Sequence, residues 1–167
     1  MKGTSMMNNI KKLNQYIINE NTMVIKHFAD QTYKSWIYES NAEYLCQQSP
    51  EDILDESCIR KGLTTYEGRK RAVAELLHKK TRLPIPIETD LRSIFVPTTM
   101  KKRERADWFS YHYALDIKSS AKGDFFKTIT LTNRKQVDLE ITPAIYHKQM
   151  LYASFLIGYF IKKDDIN

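Results

Sequence analysis

The sequence predicts an α+β fold: a single domain with a largely antiparallel sheet of short strands, a basic central helix and an apolar C-terminal helix. Three observations carry this reading. Short β-branched and aromatic runs recur along the chain, separated by polar turn residues. Helix-start chemistry stands at Ser49-Pro50, Thr64 and Thr142-Pro143. Strand-like and helix-like segments are segregated rather than alternating one for one, which argues against a parallel βαβ sheet. A chain of 167 residues is long enough to bury one core, and no linker divides it. Residues 1–167 are therefore read as one domain, with 1–8 a disordered or partly vector-derived extension.

Along the chain, Tyr16–Ile18, Thr22–Phe28 and Thr32–Tyr38 read as the strands of a meander, broken at Asn19-Glu20-Asn21 and Asp30-Gln31. Ser49 before Pro50, Glu51 and Asp52 starts a helix that runs towards Cys58. Thr64-x-x-Glu67 has the spacing of a capping box. The helix after it carries an apolar stripe at Val73, Leu76 and Leu77 and ends near Lys80, ahead of Pro84. Short strands follow around Ile85 and Ile94–Val96. From Trp108 the apolar residues alternate through Phe109, Tyr111, Tyr113, Leu115 and Ile117, the pattern of one half-buried strand. Phe125–Thr132 and Gln136–Ile141 form a hairpin about Asn133-Arg134, where a tight turn prefers glycine in second place. Thr142-Pro143 opens the final helix, which runs to about Lys163. Its longest apolar run, Met150–Ile161, is too short to span a bilayer, so this helix is buried or faces a partner, and no membrane is expected.

The net charge of +6 favours an acidic partner. Its placement says more. Between Arg60 and Arg82 stand eight basic residues (Arg60, Lys61, Arg69, Lys70, Arg71, Lys79, Lys80, Arg82) against Glu67 and Glu75, and eight minus two equals the charge of the whole chain. On a helix, Arg71, Ala74 and His78 lie opposite the apolar stripe with Lys70 at its edge. Gly68, near the helix start, leaves backbone N–H groups open to a phosphate. A second cluster, Lys101, Lys102, Arg103 and Arg105 around Glu104, sits in a loop after Pro97-Thr98 and suits an arm that follows phosphates or enters a narrow A·T minor groove. A solvated charged face is the plain alternative for both.

Catalytic and metal chemistry find no support. His27, His78, His112 and His147 are scattered without zinc-ligand spacing, and no cofactor or metal is expected. There is no glycine-rich phosphate loop, nucleophile elbow or CxxC, and Asp138 and Glu140 read as ordinary charges on an exposed hairpin. Cys46 and Cys58 make no disulfide framework, and no export signal is evident, so a cytoplasmic location is expected. Two other classes stay open. The aromatic residues around Trp36 and Trp108 suit a stacking platform for single-stranded nucleic acid, and the aromatic terminal helix suits a non-catalytic interaction module.

Cys58-x-x-x-Gly62, Tyr66-Glu67-Gly68-Arg69-Lys70, Leu83-Pro84-Ile85, Val96-Pro97-Thr98 and Trp108-x-Ser110 resemble, in order, the signature of the ComK family of competence transcription factors, with a later match at Gln149. The resemblance covers roughly residues 55–152. It departs at Thr81-Arg82-Leu83-Pro84, at Ala106-Asp107 and at Asn133-Arg134, and tail functions of longer members are not carried past Asn167. It implies an activator of DNA-uptake genes that binds paired A/T-rich promoter boxes, largely from the minor groove. It also implies a homodimer or higher assembly on double-stranded DNA and proteolytic control through an adaptor of the MecA/Clp type. The expected DNA-binding residues are Gly68, Arg69, Lys70, Arg71, His78, Arg82, Thr98, Lys101, Lys102, Arg103 and Arg105. Gly68-Arg69-Lys70 and Pro97-Thr98 are matched family positions, whereas Arg103 and Arg105 rest on charge and loop placement.

Overall fold

The computed structural model of the chain describes residues 10–98, 106–123 and 126–166, the last three by backbone alone. Among the described residues, ten strands and three helices follow in the order β1 (Lys11–Leu13), β2 (Thr22–His27), β3 (Ser35–Glu39), β4 (Glu43–Cys46), α1 (Pro50–Gly62), α2 (Tyr66–Leu77), β5 (Ile85–Pro86), β6 (Ile94–Pro97), β7 (Trp108–Ser110), β8 (Ala114–Ser119), β9 (Lys127–Leu131), β10 (Gln136–Leu139) and α3 (Pro143–Ile166). Seven strands form one sheet in the order β1-β4-β3-β2-β7-β6-β5, and β10-β9-β8 form a second. Every pairing is antiparallel except β1 with β4. The α+β class and the largely antiparallel sheet are as the sequence predicts.

Neighbouring side chains of the large sheet point to opposite faces, and both faces are covered. Ile25, Ile37, Phe95 and Trp108 pack with Ile53, Leu54 and Cys58 of α1 and Val73 of α2. Val24, Ile94, Val96 and Phe109 pack with Ile129, Leu131, Val137 and Leu139 of the second sheet and with Tyr146 and Ala153 of α3. The small sheet and α3 thus cover one face of the large sheet, and α1 and α2 cover the other. Gln149 of α3 ties these layers together by donating from Nε2 to the Pro97 carbonyl at 3.1 Å inside the core.

Two strand expectations need correction. Tyr16–Ile18 is no strand, because its backbone donors go to side chains: Tyr16 N–H to Gln48 Oε1 and Ile18 N–H to Ser57 Oγ, both at 2.9 Å. Its apolar residues serve as anchors, with Tyr16 and Ile18 buried. The alternating run from Trp108 is two strands rather than one. β7 lies between β2 and β6, so Trp108 and Phe109 are both buried, on opposite faces. A turn at 111–113 then carries the chain into the second sheet. The β9–β10 hairpin forms as expected, with Arg134 taking the left-handed conformation (φ 70°) where glycine is usual.

Candidate nucleic-acid interface

The corner between α1 and α2 is set by local chemistry. Ser49 caps α1 by accepting from Asp52 N–H, and the helix ends at Leu63 in the left-handed region. Asp55 of α1 accepts the Tyr66 N–H at 2.9 Å, which fixes where α2 begins. The cap of α2 is Thr65 rather than Thr64, and its Oγ1 accepts from Gly68 N–H at 3.0 Å. That shift by one residue corrects the role expected of Gly68: its N–H is spent inside the helix and is not free for a phosphate. α2 ends at Leu77, with His78 as a left-handed cap, earlier than the expected Lys80.

Arg69 also departs from the surface position expected of it. The helix phase turns its guanidinium inward, where Nη2 donates to the Gly62 carbonyl at 3.1 Å and Nε is buried without an acceptor among the described residues. Arg69 braces the α1–α2 corner. Burial pushes the neighbouring Cys58 thiol up to about 11, and the Arg69 charge opposes that rise. Thr98 is buried as well. It donates its N–H to Asp107 O at 2.9 Å and accepts Asp107 N–H on Oγ1 at 3.0 Å, so it ties the end of β6 to the start of β7. Burial raises the Asp107 carboxyl above its ordinary range, while a hydrogen bond from His27 N–H and the charge of Lys26 oppose the rise. Lys101, Lys102, Arg103 and Arg105 lie outside the described residues.

The remaining cations come together. A cleft of about 510 Å³ opens between α2, the 80–83 segment that follows it and the paired ends of β6 and β7 at Pro97 and Trp108. Leu83, Pro97, Ala106 and Trp108, all buried, form its floor, and Tyr66 meets Trp108 edge to face at 6.1 Å between ring centroids. Lys70, Lys80 and Arg82 line it as well, Lys80 and Arg82 exposed at its rim. Lys70 Nζ sits over the Tyr66 ring at 5.2 Å and 3.7 Å from Glu67. Among the described residues of the lining, Glu51 is the one carboxylate, and it is engaged by His27 Nε2 at 3.0 Å.

Beside this cleft, Lys79 lies over the Tyr152 ring of α3 at 5.1 Å. Its ammonium is held below the usual lysine range by partial burial and by the like charges of Arg82 and Lys148. Five cations from three parts of the chain therefore share one surface: Lys70, Lys79, Lys80, Arg82 and Lys148. Arg71 and His78 are exposed on or just past α2. Local crowding of like charge costs folding free energy and is relieved by a polyanion. Of this group, the sequence reading singles out Lys70 and Arg82. It leaves Lys79 and Lys80 as members of the basic run rather than contacts, reads Trp108 only as part of a stacking platform for single-stranded nucleic acid, and holds no signal for Lys148 or for the pairing of Tyr66 with Trp108.

The model of the ComK protein family matches residues 13–165. The chain belongs to the ComK family. ComK proteins are competence transcription factors and not enzymes, and the match extends the resemblance from the central motifs to nearly the whole chain. No curated protein and no solved structure matches it. Among the described residues, no helix is long and apolar enough to cross a membrane.

Proposed function

We propose that this ComK-family chain is a cytoplasmic, DNA-binding activator of DNA-uptake genes that recognises paired A/T-rich boxes largely through the minor groove. The observation that carries the DNA contact is the gathering of Lys70, Lys79, Lys80, Arg82 and Lys148 on one surface around an aromatic-floored cleft. Such a surface neutralises several phosphates and releases their counterions, which supplies affinity for any duplex. Arg71 and His78 extend it along α2. Selectivity for A·T is assigned to Lys101, Lys102, Arg103 and Arg105, which follow Thr98 in sequence: an arginine in a narrow groove reads width rather than base edges.

A homodimer follows from the paired boxes, since two-fold proteins read two half-sites. Leu151, Phe155, Tyr159 and Ile161 of α3 expose apolar area suited to a second copy, and the same residues would serve the interaction-module reading. Control by a MecA/Clp-type adaptor is carried over from the family resemblance.

The test is a salt titration of binding to an A/T-box duplex and to a G/C-rich duplex of equal length. Tight, salt-sensitive binding that prefers the A/T duplex is expected. Equal weak binding to both would reduce the surface to a non-specific one, and no binding to either would transfer the function to the exposed face of α3.

A further inference from the structure

Trp108 is the one residue of the cleft floor whose polar group is left over. The side chain is 3 % exposed, yet its indole Nε1–H has no acceptor among the described residues. A buried donor without a partner destabilises the fold, because it has given up its hydrogen bond to water for nothing in return. The other tryptophan behaves as buried indoles normally do, with Trp36 Nε1 donating to Glu43 Oε1 at 3.0 Å. Trp108 lines the same cleft as Lys70, Lys80 and Arg82, and Glu51 of that lining is already engaged by His27, so three cations stand around the residue whose closed-off N–H has no acceptor among the described residues. The three cations and the indole donate hydrogen bonds and none accepts them. The acceptor that matches them is an oxyanion.

We propose that this cleft is a socket for a single phosphate group, which accepts a hydrogen bond from the Trp108 indole while Lys70, Lys80 and Arg82 hold its charge. This rests on the DNA-binding reading for where the phosphate comes from, a backbone phosphate of the duplex, but the chemistry would serve a free phosphate compound equally. Tyr66 packs edge-on against Trp108 and carries Lys70 over its ring, so one aromatic pair orients both the donor and a cation. The indole makes the socket a positioning device as well as a source of affinity, because an N–H fixed in the core accepts one phosphate placement, whereas lysines on flexible stems accept many.

Two-dimensional ¹H–¹⁵N spectra of the full chain test this, since they show one indole resonance for each of Trp36 and Trp108, and Trp36→Phe assigns them. Potassium phosphate is titrated at constant ionic strength against potassium chloride, and the A/T-box duplex is titrated separately with its binding followed by anisotropy. Phosphate is expected to move the Trp108 indole proton downfield in a saturable way and to leave Trp36 in place. Arg82→Gln is expected to weaken that response about tenfold, the size of a lost charge-assisted hydrogen bond. Movement with both titrants supports a socket for backbone phosphate, and movement with phosphate alone supports a socket for a free phosphate compound. Duplex binding that leaves the Trp108 resonance in place would overturn the socket while sparing the DNA-binding reading, and no response to either titrant would sink both. Trp108→Phe keeps the packed ring and removes the N–H. If it melts like the parent protein and binds phosphate as tightly, the indole has no part in the site.

Discussion

Replacing Lys70, Lys80 and Arg82 together by glutamine removes three charges from the cleft while keeping side-chain length and polarity. Each lysine or arginine that neutralises a phosphate of duplex DNA contributes about 0.9 to the slope of log affinity against log salt. Loss of three contacts therefore makes the slope shallower by about 2.7. Between about 50 mM and about 200 mM salt, the parent protein should lose about 40-fold more affinity than the triple variant, the fourfold change in salt raised to that power. Fluorescence anisotropy on one A/T duplex across that salt range measures the slope directly. Lys80 and Arg82 are exposed, and Lys70 makes a 3.7 Å ion pair with Glu67 and a 5.2 Å contact over the Tyr66 ring, both weak surface interactions, so the fold should tolerate the changes and the melting curve should move little. Arg134→Gln, on the exposed β9–β10 turn, is the matched control. A triple variant whose slope matches that of the control would refute the assignment of the cleft to phosphate binding.

Three further outcomes concern the frame that holds the site. A Cβ on Gly62 would stand 2.3 Å from Arg69 Nη2 and 2.4 Å from the Ile87 carbonyl, whereas one on Gly158 meets nothing within 4 Å. Gly62→Ala should therefore cost about 2 kcal/mol, lowering Tm by about 4–8 °C, while Gly158→Ala inside α3 should raise stability by about 0.5–1 kcal/mol; equal effects in thermal melts would contradict the packing described. Gln149→Met leaves the buried Pro97 carbonyl without its donor and should cost about 1–3 kcal/mol by denaturant unfolding, with an unchanged midpoint counting against that link. Burial holds the Asp107 carboxyl above its unfolded range, so the folded state favours its protonated form. Relative to Asp107→Asn, the parent should be most stable below the ordinary carboxylate pKa and should lose that advantage as pH rises through the raised folded value; a Tm difference that stays flat or grows with pH would contradict this.

Much of the fold was legible because its signals are local. Ser49-Pro50 and Thr142-Pro143 mark the starts of α1 and α3 through backbone donors that need no partner within the helix, and short β-branched runs at Thr22–His27 and Ile94–Val96 mark strands. The ordered motifs from Cys58 to Trp108 likewise resemble the ComK family, whose model matches residues 13–165. The cap of α2 was misplaced by one residue, since Thr64 and Thr65 offer the same hydroxyl and only the bond from Tyr66 N–H to Asp55 decides between them.

What the sequence determined by itself was the class of the fold, the order of most elements, the family and the presence of excess positive charge in the middle of the chain. Only the tertiary structure decided which charges face outward together. Arg69 and Lys70 are adjacent in sequence, yet about 100° of helical rotation separates them, enough to put one against Gly62 and the other in the cleft. Lys148 lies far along the chain from Lys79 and reaches its neighbourhood because α3 packs back across the sheet. Trp108 reads as an ordinary alternating strand residue until β2 and β6 flank it and both faces of the sheet are covered, which leaves its N–H buried and without an acceptor among the described residues. Charge and periodicity are properties of neighbours in sequence, whereas a binding surface is a property of neighbours in space, and packing alone turns the first into the second.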